Sequence, residues 1–393
     1  MSGSELTRPL IGVRIPSPGL NASIAAISGV LLMALAAAVA MQTHGTWRFA
    51  ALVLVGAGIG AALLRSSFGF ASAFRALVQW RDASGFQAHA VMIGLASLLM
   101  LPILAQGEVF GMKMTGEATP ISLGFVLGAI LFGIGMQIGG GCASGTLFSL
   151  GGGNAKLVGT LAGFVIGSAL GSWSMGFWWS LPSIHGATLQ GILGFGPAIA
   201  VQVAVIAALF FVARRFSKLP VPRSLIIGGV VLALLNAATM ILNGKPWGET
   251  SAFALWGSKL FTLGGIDAHQ WAYWMRPGFN TQLDKALSLD VTSLMDAAIL
   301  LGAILAAALC GMFRPRWGGG WLQWSAAVAG GIAMGAGARM ANGCNIGAYF
   351  SAISVGNLSG WAWMLLAMAG SWIGVKIRPI FSLDAQQEVG PSC

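Results

Sequence analysis

Two short glycine-rich segments each place one cysteine inside a very apolar chain. They read GGGCASG around Cys142 and NGCNIG around Cys344. Each cysteine is preceded directly, and followed three positions later, by a glycine: Gly141, Gly145, Gly343 and Gly347. Glycine lets the backbone turn sharply and approach a solute closely, and free N–H groups at a helix N-terminus favour an anion. Because a thiol is polarizable and only a weak donor, these segments predict stations for a soft sulfur-bearing anion.

Four polar residues near the cysteines are further candidates for the same site. Gln137 and Arg339 each lie five residues before a motif cysteine, and Asn342 and Asn345 bracket Cys344. We expect Arg339 either to snorkel to the membrane surface or to attract an anion. The alternative role for the amides is helix-end capping.

The composition identifies the class of protein that carries these motifs. Of the 393 residues, 56% are hydrophobic and only 8% are charged, whereas an ordinary soluble domain is about 25% charged. Apolar runs near 20 residues recur along the chain, which predicts an all-α polytopic membrane protein. The net charge of +10 falls in short clusters between apolar segments, as cytoplasmic loops require, and does not indicate nucleic-acid binding.

The sequence offers no sign of a cofactor, a metal site or an ATP-driven engine. The four cysteines are not in metal-ligand spacing, and there is no Walker loop. We therefore expect a protein that is not an enzyme and needs no cofactor.

Apolar segments of two lengths must position the motifs. Ten are long enough to cross a membrane: 22–42, 47–64, 87–106, 122–140, 157–177, 191–213, 224–243, 292–312, 321–340 and 358–377. Four are too short or too broken by glycine, and are expected to be re-entrant or half-helices: 66–80, 141–153, 248–262 and 343–355.

An internal repeat relates the two cysteine segments. GMQIGGGCASGTLFS at 135–149 aligns without gaps with GARMANGCNIGAYFS at 337–351, and GFASAFRAL at 69–77 resembles GETSAFALW at 248–256. Each unit has four long spans and one span links them, so the second unit must be inverted. Inverted repeats with broken helices near the midplane are the architecture of a transport pathway.

The repeat divides the chain into five parts. They are a tail with an extra transmembrane helix (1–46), a first repeat half (47–190), a linker helix and cytoplasmic loop (191–223), a second, inverted half (224–378) and a C-terminal tail (379–393).

Positive charge predicts the orientation of the chain. In the ten-span scheme one side receives most of the basic residues: Arg8, Arg14, Arg65, Arg75, Arg81, Arg214, Arg215, Lys218, Arg223, Arg314, Arg316, Lys376 and Arg378. The other side receives Glu108, Glu117 and the longer 264–291 loop. The positive-inside rule then places both termini in the cytoplasm.

Other ionisable residues are weaker candidates. Glu249 and Lys259 lie on the same short piece and could pair, and His89 is expected in or near a loop. Asp296, near the start of the eighth span, could carry a proton, but the favoured expectation is a position at the interface. Entry of a divalent anion against a negative interior costs about 2.3 kcal/mol per charge per 100 mV. The sequence shows no clear buried carboxylate for proton coupling, so ion coupling and rapid consumption inside both stay open as driving forces.

The paired cysteine motifs, together with NGKPWGETSAFALWGSKL at 243–260, resemble the YeeE/YedE sulfur-transporter family. The resemblance runs from about Gly56 to Arg378. It implies bacterial inner-membrane uptake of thiosulfate or a related sulfur compound through a pseudo-symmetric helix bundle. It also implies that Cys142 and Cys344 pass the anion along by S–H···S contacts.

Some members of that family have a third cysteine in the first short piece. Here Gly69, Phe70 and Ala71 occupy that region. The third station is therefore either missing or replaced by Ser72, and Ser251 holds the equivalent position of the second SAF segment.

Four functional hypotheses follow. The first is a transporter of a small soft anion, most of all thiosulfate, in the lipid bilayer, with a cytoplasmic sulfurtransferase or sulfur-carrier protein as partner. The second is import of a selenium compound or of another sulfur species such as sulfite. The third is a membrane sulfurtransferase with a persulfide on cysteine, which needs a nearby cation to stabilise the thiolate. The fourth is an interaction scaffold without a solute path.

Overall fold

The computed structural model describes residues 18–43, 46–116, 118–217 and 219–383. Arg8, Arg14, Glu117 and Lys218, and most of the two predicted tails, lie outside this part of the chain. The described residues are overwhelmingly helical. The helices are α1 (Pro18–Gln42), α2 (Trp47–Ser66), α3 (Phe70–Trp80), α4 (Ser84–Ala105), α5 (Leu123–Ile138), α6 (Ala143–Gly151), α7 (Leu157–Ser180), α8 (Leu189–Leu193), α9 (Phe195–Phe216), α10 (Arg223–Asn243), α11 (Thr250–Leu263), α12 (Val291–Leu309), α13 (Trp321–Met340), α14 (Ala352–Ser354) and α15 (Ser359–Ile377).

The remaining regular structure is short. A π-helical segment, Asn345–Ser351, runs directly into α14. Three 3₁₀ turns cover Ala268–Gln270, Leu287–Leu289 and Arg378–Phe381. Four two-residue strands form two antiparallel pairs, β1 (Glu108–Val109) with β2 (Met112–Lys113) and β3 (Ile121–Ser122) with β4 (Ser183–Ile184).

Long and short helices follow the order expected from the sequence. Every apolar segment of full length forms a long helix, and the four short segments form α3, α6, α11 and the π-helical segment with α14. Within the described residues nine segments are long and apolar enough to cross a membrane. The chain is therefore an all-α multi-pass membrane protein.

The predicted span 321–340 is the exception among the ten. It forms α13, but it is not among the nine apolar segments. Its sequence is rich in glycine and alanine and ends with Arg339. Because α13 packs against α5 and α7, small residues on it meet other helices, and they lower its hydropathy without exposing it to lipid.

Glycines bring the central helices into backbone contact, in two matching pairs. A Cβ added at Gly167 of α7 would lie 2.2 Å from the carbonyl oxygen of Ile332 in α13. A Cβ at Gly370 of α15 would lie 2.1 Å from that of Ile130 in α5. Ile130 and Ile332 occupy the same position in the aligned repeat, so α7 against α13 repeats the packing of α15 against α5.

One end of the bundle gathers basic residues, and we call it the basic face: Arg65, Arg314, Arg316 and Arg378. Arg65 lies in the last turn of α2. The loop after α6 pairs there with the loop after α12, through the bridge between Asn154 and Arg316. Arg378 donates to the backbone oxygen of Gln137 near the end of α5, at 2.5 Å. Helix α5 therefore runs towards the basic face.

The other end, here called the opposite face, is defined by Thr115, Thr119, Asn342 and Asn357. Both asparagines donate to the Thr119 hydroxyl at 3.2 Å, and Thr115 bonds to the Gly244 carbonyl. Because Asn342 follows the last residues of α13, this helix runs towards the opposite face, antiparallel to α5. The division of the chain into two inverted halves with its exact boundaries remains a prediction.

The glycine contacts predict a position-dependent effect of a single methyl group. Gly370→Ala should destabilise the protein by about 1–3 kcal/mol, because the new methyl overlaps a backbone oxygen that cannot swing aside. The control is Gly196→Ala in α9, where an added Cβ meets nothing within 4 Å and alanine favours the helix. Thermal unfolding in detergent should show a lower melting temperature for Gly370→Ala only. Equal melting temperatures would refute the packing.

Candidate functional site

Cys142 caps the N-terminus of α6. Its side chain is 1% exposed, and its sulfur lies 3.4 Å from the Ser144 hydroxyl. The backbone N–H groups of Gly145 and Ala71 also face the sulfur. Since Ala71 lies in the first turn of α3, the starts of two short helices converge on this thiol. Converging helix N-termini provide a setting for negative charge.

Cys344 holds the corresponding position before the π-helical segment. It is fully buried, and its sulfur accepts from the Ile346 N–H at 3.4 Å. The Gly347 N–H faces the same sulfur. The thiol is oriented to donate to Oε2 of Glu249, 3.9 Å away, just before α11. Both cysteines therefore sit at helix starts, but the Glu249 carboxyl contacts the Cys344 thiol and only faces Cys142 at longer range.

The two thiols lie in one buried cluster. Cys142 and Cys344 both belong to the large central core and are close enough to interact electrostatically. Neither is exposed, so this conformation closes the site from both faces of the bundle.

Glycine is required in the turns before and within the motifs. Gly343 has a φ of +148°, and a side chain on it would meet the Ala348 nitrogen at 2.9 Å. Gly140 has a φ of +83°, in the left-handed region. At Gly145 a Cβ would lie 3.4 Å from the Cys142 sulfur, and at Gly141 it would lie 3.2 Å from the Gly145 backbone. At Gly347 an added Cβ would meet only the Gly248 Cα, at 4.0 Å, which is an ordinary contact.

Gln137 and Arg339 each donate a hydrogen bond to the start of a short helix. Gln137 donates to the Ala71 carbonyl at 3.1 Å, at the start of α3. Arg339 donates to the Thr250 hydroxyl at 2.6 Å, at the start of α11, and to the Tyr273 hydroxyl at 2.7 Å. Arg339 is only 7% exposed, so the expectation that it snorkels to the surface is wrong.

The two candidate asparagines differ in their surroundings. Asn342 is exposed at the opposite face and adopts a left-handed φ of +59°, which asparagine tolerates. Asn345 is fully buried, and neither its amide nitrogen nor its amide oxygen has a hydrogen-bond partner among the described residues. An unpartnered buried amide is unfavourable, so Asn345 is the polar side chain next to Cys344 that is best placed to receive a ligand.

The serine candidates do not join the thiols. Ser72 is exposed and donates to the Gly69 carbonyl at 2.8 Å within its own helix start. Ser251 donates to the Thr292 hydroxyl at 3.0 Å. Neither is bonded to a motif cysteine: Ser72 makes a local bond at its helix start, and Ser251 links α11 to α12.

A cavity of about 190 Å³ opens towards the Cys344 side. Its lining includes the polar groups of the opposite face. It also includes Gly248, Ala341, Gly347 and Ala348, which flank Glu249 and Cys344 along the chain. An approach route from the opposite face therefore ends close to the second thiol, which itself stays covered.

Four ionisable residues differ in burial or in pairing from what the sequence predicted. Glu249 and Asp296 are 1% and 0% exposed, so the interfacial position expected for Asp296 is wrong. Lys259 does not pair with Glu249, because its amine binds the carbonyls of Leu283 and Lys285. His89 is buried within α4 rather than lying near a loop. Apolar neighbours in the sequence were the available signal for burial of Asp296 and His89.

Among the described residues no group of three or more histidine, cysteine or acidic side chains is arranged to hold a metal ion. The groups at the site are instead thiols, amides, hydroxyls and backbone N–H groups, with the Glu249 carboxyl beside Cys344. This set can bind an anion by weak donors without a full positive charge beside either sulfur.

Comparison with known proteins identifies a family and several relatives of this chain. Residues 65–373 match the model of a family described as sulphur transport. The thiosulfate transporter TsuA of Spirochaeta thermophila is 29% identical over 344 residues, which cover 81% of this chain and 96% of that protein. The probable transporter YedE of Salmonella typhimurium is 31% identical over 167 residues, 40% of this chain and 39% of that protein. YedE of Escherichia coli is 27% identical over a similar stretch of 161 residues.

Two buried asparagines give a test of which polar groups serve the fold. Asn236 has partners at both ends: it donates to the Ser351 hydroxyl at 3.1 Å and accepts from the Trp247 N–H at 2.8 Å. Asn236→Ala should therefore destabilise the protein by about 1–3 kcal/mol, whereas Asn345→Ala should leave its melting temperature unchanged or higher. A loss of stability in Asn345→Ala as large as in Asn236→Ala would show that Asn345 is structural.

Proposed function

The chain belongs to the sulphur transport family, and we propose that it imports a small sulfur-containing anion, thiosulfate above all, along a path that passes Cys142 and Cys344. The observation that carries the proposal is the placement of both thiols at the starts of short helices in one buried cluster. A multi-pass membrane protein has little reason to break helices around glycine unless the breaks line a path.

The donors around the sulfur atoms fit the proposed cargo. At Cys142 they are the Ser144 hydroxyl and the N–H groups of Gly145 and Ala71. At Cys344 they are the N–H groups of Ile346 and Gly347, with the amide of Asn345 beside them. Weak, distributed donors let an anion bind and leave again, as conduction requires. In this proposal the thiols donate S–H bonds to the sulfur end of the anion.

The proposed route crosses between two inverted halves. The matching glycine contacts and the opposite directions of α5 and α13 support halves at 47–190 and 224–378, joined by 191–223. Basic residues at one end support a cytoplasmic basic face, with both termini on that side of a bacterial inner membrane. The cavity above Cys344 would then be the outer entrance, and Cys142 would be the inner station.

The substrate assignment rests on the relative from Spirochaeta thermophila, which is named as a thiosulfate transporter. The match covers 96% of that protein. Selenium compounds and sulfite remain the alternative cargoes. A membrane sulfurtransferase fits less well, because Arg339, the basic residue near a motif, is engaged by Thr250 and Tyr273. A cytoplasmic sulfurtransferase or sulfur-carrier protein is the proposed partner at the basic face, where it would consume the imported anion.

Substitution of the thiols tests the path. Cys142→Ala and Cys344→Ala should each reduce uptake of radiolabelled thiosulfate at least tenfold, in cells that lack other sulfur importers. The double variant should be no worse than the worse single variant, because the two stations serve one route. The control is Ser354→Ala, a buried hydroxyl that bonds only within its own helical turn, to the Phe350 carbonyl at 2.8 Å.

The outcomes separate the hypotheses. Near-normal uptake by both well-inserted cysteine variants would remove the thiols from the path. A wild type that takes up selenite or sulfite but no thiosulfate would keep the path and change the cargo. A persulfide on either cysteine, found by mass spectrometry during turnover, would favour sulfur transfer instead.

A further inference from the structure

Beside Cys344 lie two buried carboxyl groups that the proposed anion path does not explain. Glu249 precedes α11 and Asp296 lies in the second turn of α12. The two are close enough to interact electrostatically. Oε1 of Glu249 and both carboxyl oxygens of Asp296 are buried without a hydrogen-bond partner among the described residues. Such groups within membrane-spanning segments usually serve ions or protons.

No cation among the neighbouring helices neutralises this pair. Helices α1, α6 and α7, which pack against α11 or α12, carry no charged or histidine side chain. Helix α2 carries two arginines. Arg48 binds the Phe110 carbonyl, and Arg65 lies in the last turn of the helix, at the basic face.

The remaining charged groups near the pair are also committed. Arg339 of α13 binds the hydroxyls of Thr250 and Tyr273, and Lys259 binds loop carbonyls. Asp290, which also faces Asp296, caps α12 by accepting from the Ser293 N–H at 2.8 Å. Since two adjacent buried carboxylates without a counter-ion are very unfavourable, the pair must hold at least one proton while the site is closed.

The position of the pair connects this proton to the anion. Glu249 receives the Cys344 thiol at 3.9 Å, and it interacts with the backbone N–H of Ser144 in α6 and with Cys142. Glu249 therefore touches the second thiol and faces the first. An anion at Cys344 would meet a full negative charge unless Glu249 were protonated.

The equivalent place in the first half has no acid. Asp296 and His89 are each the sixth residue of their helices, α12 and α4. The repeat aligns Glu249 with Phe70, and the His89 ring packs on the Phe70 ring with centroids 4.7 Å apart. An aromatic pair thus replaces the acid pair, so among the described residues the buried carboxyl groups both lie in the second half.

We propose that Glu249 and Asp296 form a proton-carrying pair that takes up protons through the opposite-face cavity together with the anion and releases them at the basic face. This rests on the proposed function. Each proton moves from water to a carboxylate before the anion enters and returns to water after it leaves. One proton per cycle would offset half of the charge of a divalent anion and two protons would offset all of it, so uptake would follow a proton gradient.

Purified protein in liposomes, loaded with an internal pH dye, tests the proposal. Labelled thiosulfate uptake by the wild type should rise at least fivefold when the external buffer is made one pH unit more acidic than the interior, and protons should enter with it. Glu249→Gln and Asp296→Asn should lose this dependence while still exchanging external for internal thiosulfate. The matched control is Asp284→Asn, an exposed carboxyl that binds His269 at 3.1 Å, which should behave as wild type.

The outcomes have distinct meanings. Thiosulfate uptake by the wild type without proton entry, or an unchanged gradient dependence in Glu249→Gln and Asp296→Asn, would overturn the proton pair and leave the anion path intact. Absence of both uptake and exchange in the wild type would overturn the proposed function and this inference together. If the variants fail to fold, thiosulfate uptake by the wild type without proton entry still overturns the proposal.

Discussion

A helix that stops and restarts inside a membrane frees backbone groups that lipid cannot satisfy, and the centre of this protein is organised by that constraint. At the first break the Thr146 N–H and hydroxyl both bond to the Cys142 carbonyl, at 2.8 and 2.7 Å. Thr160 of the adjacent helix donates to the Gly139 carbonyl at 2.7 Å. At the second break the Gly343 N–H bonds to the Ala338 carbonyl at 2.7 Å. At each break, further backbone N–H groups face a cysteine sulfur.

Close glycine packing supports these breaks, because backbone contacts between the long helices fix the frame that holds the short helices. The contacts recur in both halves, which gives each thiol a similar frame but a different chemical setting. Cys142 is surrounded by neutral donors, and Cys344 has Glu249 and Asn345 beside it. The repeat thus gives the two thiols a similar geometry. Differences at equivalent positions, such as Phe70 in the first half and Glu249 in the second, make the two ends of the proposed path chemically different.

Hydropathy and segment length sufficed to predict the long helices and the four short ones, since both depend on local composition. The repeat alignment also predicted that Gln137 and Arg339 would occupy equivalent places. Hydropathy and the repeat alignment did not predict that Glu249, Asp296 and His89 are buried. Span ends are uncertain by a few residues, and hydropathy does not tell which side of a helix faces a partner. Likewise, only tertiary contacts show that Arg339 binds Thr250 and Tyr273 rather than facing lipid headgroups.

Protection of the thiols by substrate is the most direct test that they line an anion path. The rate at which a small membrane-permeant maleimide labels Cys142 and Cys344 can be followed by peptide mass spectrometry, with thiosulfate or with sulfate present. Each rate is divided by that of a free thiol peptide in the same sample, because thiosulfate itself consumes maleimide. The account predicts that thiosulfate slows labelling of both cysteines at least fivefold and that sulfate does not. Labelling rates that stay the same at saturating thiosulfate would contradict it.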